Sequence, residues 1–328
     1  AGHCEPSNPN PGGSMTSLSG AGAPMVSPQT PKSDLANTSA GNEIVPLWQQ
    51  RVRIFLHNRL AVASVLFLIA VIIFCYFGPL FYHTNQTNQA LALTAVWNSP
   101  PSLHHLLGTD SSGYDELGRI MFGGEYSLSL GMIAGFITII VGTIYGMISG
   151  FLGGVVDAFM MRILDALLSI PLLFLLITLV SVFTRSAVFL IVIIGVTGWF
   201  ANARIIRGDA LLIKKLEYSQ AATAMGARKW HIIRRHVFPN SMSNIVTVAT
   251  FSVADAILFL STLGFLGLGI PAPQTDWGTM LQDGATQQPN GYWWEIYPTA
   301  LLFVLVIVAI TYIGEALRDV FEVRLLER

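Results

Sequence analysis

Six apolar stretches separated by polar ones set the rhythm of this chain. They fall at residues 60–81, 127–149, 158–183, 187–203, 241–268 and 297–314. Each is long enough, or nearly so, to cross the roughly 30 Å hydrocarbon core of a bilayer as an α-helix. The third contains Pro171, which removes a backbone donor and predicts a kink. Ahead of the first, residues 44–59 alternate with helical period: Leu47, Trp48, Val52, Phe55 and Leu56 on one face, Gln49, Gln50, Arg51 and Arg53 on the other. This pattern predicts a helix lying in the headgroup zone, with a plain juxtamembrane linker as the other reading. Residues 1–43 are rich in Ser, Pro, Gly and Ala and read as a disordered cytoplasmic tail, with 1–14 as a linker remnant before Met15.

Composition agrees. Of 328 residues, 52% are hydrophobic and only 11% are charged, against roughly 25% charged in soluble domains. The fold class is therefore all-α, a polytopic helical membrane protein with six transmembrane helices. Its segments are the first span at 60–81, an extracytoplasmic loop at 82–122, a helical core at 123–317 and a C-terminus at 318–328. The two cysteines, Cys4 and Cys75, supply no disulfide framework.

Charge orients the chain. Lys32, Arg51, Arg53 and Arg59 precede the first span, eight Lys and Arg lie between spans four and five, and Arg318, Arg324 and Arg328 follow span six. With six spans these regions share one side, and the excess of basic residues makes it the cytoplasm. Both termini and the segment 204–240 are expected there.

Within that segment, Glu217–Asn240 is the one long polar island between apolar runs. Ala221, Ala222 and Ala224 leave one face of a short helix flat, Gly226 suits its C-terminus, and Pro239 suits the start of the next span. Two short basic helices joined at a glycine form a protrusion that fits a cleft on a soluble partner; the bland alternative is an interfacial re-entry loop. Gly131, Gly135, Gly142, Gly146 and Gly150 recur near one face of the second span. Close helix packing is the favoured reading, ahead of a substrate path. Asp157, Arg162 and Asp165 open the third span, and pairing of Arg162 with Asp165, one turn away, is expected at the cytoplasmic boundary. Asp255 lies about 24 Å into span five, counted from Pro239. A carboxylate at that depth lines a translocation path or bonds a neighbouring subunit. His104 and His105 belong to a loop, and no metal-ligand spacing surrounds them. The chain has no G-x-x-x-x-G-K-[ST] loop, nucleophile elbow or zincin motif, so no catalytic residue is assigned.

The stretch Gln220-Ala-Ala-Thr-Ala-Met-Gly226, followed by Arg235-His-Val-Phe-Pro239-Asn240, resembles the EAA loop of ABC importer permeases, in particular the C-type subunits of the oligopeptide and dipeptide (peptide/nickel) branch. The similarity continues in Leu107-Gly-Thr-Asp110 with Gly113 and Asp115, in Gly153, Gly154, Met161 and the Asp157/Arg162/Asp165 group, in Trp199 with Arg204 and Arg207, and in Phe265-Leu-Gly-Leu-Gly269, Pro273, Trp277-Gly278 and Gly314. The resemblance implies a type I ABC importer permease fold and a non-catalytic subunit of an ATP-driven peptide importer in a prokaryotic cell membrane. It implies a second, homologous permease subunit forming a heterodimer, two ATPase subunits that bind ATP and Mg, and an extracytoplasmic substrate-binding protein. Neither a cofactor of its own nor a nucleic-acid partner is implied. Glu217, Gln220, Ala221, Ala222, Gly226, Ala227, Arg228, Trp230, His236 and Pro239 would couple it to an ATPase. Three departures stand out: Gln220 replaces the family's first acid, with Glu217 one turn earlier; Leu260 replaces an acid in span five, where Asp255 lies five residues before; and Tyr114 replaces an arginine. The alternatives are import of nickel chelates, glutathione or oligosaccharides by the same architecture, an ATP-independent channel or secondary transporter, or a sensory scaffold without flux.

Overall fold

The computed structural model describes residues 47–82, 84–86, 88–183 and 186–322, and the expected tail at 1–43 lies outside them. The described residues are helical, with no strand beyond an isolated bridge between Thr109 and Asp115. Helix α1 (Leu47–His57) lies within the stretch 44–59; the side chains of Leu47–Arg51, Trp48 among them, lie outside the described set. Asn58 caps α2 (Arg59–Phe81), its side chain accepting the Ala61 N–H at 3.2 Å. Nearly half of α2 is exposed, including Leu66, Ile73 and Phe77, and only Ala61, Ser64, Val71 and Cys75 are buried. So apolar an open surface needs lipid as its solvent.

After the short α3 (Gln89–Thr94), helix α4 (Glu116–Leu152) runs for 37 residues, roughly 55 Å. It overshoots the hydrocarbon core and begins inside what the pattern assigned to the outer loop. Asp115 starts it by accepting the Gly118 N–H at 2.8 Å. Gly153 (φ +66°) and Gly154 (φ +58°) then reverse the chain into α5 (Gly154–Leu168). The two glycines matter because a side chain there would be forced into the left-handed region. The third span is more than kinked: α5 and α6 (Leu172–Val182) meet at 75° across Ser169–Pro171. Among the described residues five helices are long and apolar enough to cross a membrane, or six if this bent pair is counted as one span.

Helices α7 (Ala187–Thr197) and α8 (Trp199–Lys214) form span four. The span continues to Lys214, eleven residues past the expected end at 203, so residues 204–214 are helix rather than coupling loop. Next come α9 (Glu217–Ala224), α10 (Lys229–Ile232), a π-helical turn (Ile233–Val237) and α11 (Phe238–Leu263). A second π-helical turn (Gly264–Leu268) leads to α12 (Trp277–Gln287), and α13 (Tyr297–Glu322) is the last span. At the centre, α4 packs against α8, α11 and α7, while α11 also packs on α13 and α13 on α2.

The glycine row explains how α4 serves two neighbours. A Cβ on Gly131 or Gly135 would lie 2.2 and 2.8 Å from Ile257 and Val253 of α11. One on Gly146 or Gly150 would lie 2.4 and 2.6 Å from the backbone oxygens of Ala203 and Arg207 of α8, and Gly142 is pressed against Asn202. The face is a packing seam, shared between α11 toward one end and α8 toward the other.

Candidate coupling surface and membrane path

The polar island is built on a small apolar base. Ala222, Ile232, Ile233 and Val237 bury themselves against Met147 and Phe151 of α4 and Ile206, Ala210 and Ile213 of α8. On α9 only Ser219 and Ala222, one turn apart, face inward; Glu217, Gln220, Ala221 and Ala224 are exposed. The helix ends where the Gly226 N–H bonds the Thr223 carbonyl at 3.0 Å and the Ala227 N–H bonds the Ala222 carbonyl at 3.1 Å. Gly226 sits at φ +81° with open space where a Cβ would be, so backbone conformation and not crowding calls for glycine. Ala227 packs partly on the base, and Arg228 opens α10 with extended backbone. The result is a tip displaying Ala221, Ala224, Met225 (82% exposed) and Trp230 (63% exposed).

Two side-chain contacts brace this tip. Gln220 donates from Nε2 to the carbonyl of Lys215 at 3.0 Å, tying α9 back to the end of α8. The ring of His236 lies 5.8 Å from that of Tyr218, bridging α9 to the π-helical turn. Pro239 stands at the start of α11, directly after the π-helical turn that interrupts the regular bonding there.

The charges at the entry to span three pair differently from the sequence expectation. Asp157 is held by Arg207, whose Nε and Nη2 donate to its two oxygens at 2.6 and 2.7 Å, with the Ser149 hydroxyl at 2.5 Å. Asp165 pairs with Arg204 at 2.5 Å. Arg162 is in neither pair and is exposed. The reason is tertiary: the Gly153–Gly154 reversal brings the acidic face of α5 against α8, and a guanidinium gripping both carboxylate oxygens outcompetes a same-helix neighbour.

Asp255 projects from α11 between buried Ala254 and Ala256, and its own side chain is exposed. It lacks a hydrogen bond or ion pair to any described residue. Leu260, by contrast, is 1% exposed within the apolar core. The carboxylate therefore lies on the outer surface of this chain and not in its core.

The end of α4 far from the polar island holds a second constellation, whose partners the sequence did not bring together. Arg119, in the first turn of α4, donates to Asp110, to Asp283 of α12 at 3.1 Å and to Thr275 at 3.1 Å. Asp110 also accepts the Ser112 and Tyr114 N–H groups, each at 2.8 Å. Asp115 bonds Tyr82 and His105 at 2.8 Å each. Burial and then the bond to Asp115 push the Tyr82 phenol up to about 12. Burial raises the Asp283 carboxyl above its ordinary value even beside Arg119. Trp294 donates from Nε1 to the Thr109 carbonyl at 3.3 Å, and Trp277 to that of Ile120 at 3.1 Å. The sequence signal was the Asp110–Gly113–Asp115 turn immediately before the α4 cap. No group of three or more His, Cys, Asp or Glu among the described residues is arranged to hold a metal ion.

A bundle of helices long and apolar enough to cross a membrane, with a polar helical protrusion at one end, is the architecture of a multi-pass membrane protein. The chain belongs to the family of binding-protein-dependent transport system inner membrane components, whose model matches residues 142–327. The N-terminal transmembrane domain of oligopeptide transport permease C matches residues 46–101. The chain is 38% identical over 280 residues to the oligopeptide transport system permease protein OppC of Haemophilus influenzae, covering 84% of this chain and 88% of that one. It is 39% identical over 280 residues to OppC of Escherichia coli, with 84% and 91% covered. It is 37% identical over 268 residues to the dipeptide transport system permease protein DppC of Bacillus subtilis, with 82% and 83% covered.

Proposed function

We propose that this chain is one membrane subunit of an ATP-driven importer of peptides. It forms half of the translocation path beside a second, homologous permease and catalyses no reaction itself. Two ATPase subunits bind ATP and Mg, an extracytoplasmic binding protein delivers the substrate, and both termini face the cytoplasm of a prokaryotic cell. The observation that carries the reading is the α9–Gly226–α10 tip. It is small-faced, apolar at its apex and rigidly based on α4 and α8, as a lever seated in a cleft of another protein requires. ATP-driven closure does work on the bundle only if the bound ATPases favour one arrangement of the spans over the other. A base shared with α4 and α8 passes that preference to the central helices. Asp255 is assigned to the translocation path.

The test is uptake of labelled peptide into proteoliposomes holding the whole complex. Uptake is expected with ATP and binding protein and is abolished by Gly226→Trp, while membrane insertion and permease pairing persist. Flux without ATP, or normal uptake by Gly226→Trp, overturns the reading.

A further inference from the structure

Behind the coupling tip lies a basic surface whose charges the fold leaves unanswered. Residues 228–236 read Arg-Lys-Trp-His-Ile-Ile-Arg-Arg-His, and no Asp or Glu occurs between Glu217 and Asp255. Arg204 and Arg207 of α8 find Asp165 and Asp157. Arg228, Lys229, Arg234 and Arg235 form no ion pair with any described residue. Asp209, the α8 acid that faces α11, is taken by Asn244 at 2.8 Å.

Local geometry gathers these charges. Ile232, Ile233 and Val237 are buried, and the π-helical turn at Ile233–Val237 widens the helix there, so Arg234 and Arg235 emerge side by side on the open face. With His231 and Pro239 they line a cleft of about 610 Å³, within the range of roughly 300–1,000 Å³ seen for small-molecule sites. The cleft lies at the head of the helical run Lys229–Leu268, 40 residues long, whose apolar part begins after its basic first turns. Only roughly 20 of these residues are needed to cross the hydrocarbon, and the apolar stretch begins near residue 241, so the basic turns just before it fall at the headgroup layer. Just inward, Phe238 and Met242 are 41% and 40% exposed, four residues apart on one helix face.

We propose that the cleft of His231, Arg234, Arg235 and Pro239 binds the phosphate of an anionic phospholipid, with an acyl chain along Phe238 and Met242. Two guanidinium groups without carboxylate partners supply forked donors to phosphate oxygens, and basic pockets at the membrane boundary take such headgroups. The proposal rests on the position of this span in the bilayer and not on the identity of the transported solute.

The experiment uses the purified, assembled transporter with phosphatidylglycerol, phosphatidylcholine and inorganic phosphate as probes. Native mass spectrometry of the wild-type complex is expected to show preferential retention of phosphatidylglycerol over phosphatidylcholine. R234Q/R235Q should lower that retention about tenfold or more, and R234K/R235K should keep most of it. Equal retention by wild type and R234Q/R235Q overturns the proposal. So does binding of inorganic phosphate with no lipid preference, which assigns the cleft to a free anion. Loss of the ATPase subunits from R234Q/R235Q with lipid retention unchanged overturns it in favour of a protein contact. Should R234Q/R235Q fail to assemble, wild-type protein photolabelled with diazirine-bearing phosphatidylglycerol decides. Label within residues 228–242 supports the site, and label elsewhere alone overturns it.

Discussion

The side-chain amide of Gln220 donates to the backbone carbonyl of Lys215 across 3.0 Å. An ionised carboxylate cannot make this bond, because it accepts only. The residue that departs from the resembled loop therefore has a role its acidic counterpart could not take over. Gln220→Glu is expected to loosen α9 from the end of α8, at a cost of about 0.5–1 kcal/mol for an exposed bond of this kind. Peptide uptake should fall a few-fold with the complex still assembled. Full uptake by Gln220→Glu together with reduced uptake by Gln220→Ala would show that accepting, not donating, is what matters there.

Gly226 holds φ +81° in open space. A graded series follows: Gly226→Asn is expected to be milder than Gly226→Ala, and Gly226→Val the worst. The left-handed conformation costs a residue with a Cβ roughly 1–2 kcal/mol, and asparagine tolerates it best. ATPase rate and uptake should uncouple progressively along the series. A flat response would indicate that the turn does not set the pose of the tip.

Asp157 and Arg207 join α5 to α8 through two bonds. The pair is partly solvated, which limits its worth. A double-mutant cycle of Asp157→Asn and Arg207→Gln should return a coupling energy of about 1 kcal/mol by thermal unfolding of the complex. Arg162→Gln should be silent in the same assay.

Arg119 is buried among Asp110, Asp283 and Thr275. Removing it strands a buried carboxylate, a loss of about 3–5 kcal/mol. Arg119→Met is expected to lower the melting temperature sharply and to expose residues 88–115 to protease. Arg119→Lys should recover little, because a point charge cannot bridge three partners as a planar fork does.

Asp255 is exposed on α11, whereas Cys75 is fully buried. In the whole complex, Asp255→Cys on a Cys4→Ser background is expected to react with a membrane-impermeant charged thiol reagent, and transported peptide should slow the reaction. Absence of labelling in every state would remove the residue from an aqueous path.

The span pattern was legible because lipid imposes one rule along the whole chain: each backbone polar group must bond within its own helix, so spans must be long and apolar. The glycine spacing on α4 and the Gly226–Pro239 punctuation were legible for a similar reason, since each reports a local backbone demand. The 75° break at Pro171 was legible only in part, because proline marks where a helix yields and not by how much. The extension of α8 to Lys214 was hidden, since charged Arg204 and Arg207 read as the end of a span when their acidic partners are out of view.

The amino-acid sequence by itself determined an all-helical membrane bundle, the rough places of its long apolar helices, its polar island and its glycine and proline punctuation. These depend on interactions within a few turns of one helix and on the solvent around it. The tertiary structure alone decided who pairs with whom: Asp157 with Arg207 across fifty residues, Arg119 with Asp283 across 164, and Gln220 with a carbonyl rather than a cation. Charges and hydrogen-bond donors act through space at a few ångströms. Their partners are fixed by how the helices turn back on one another, a property no single stretch of chain contains.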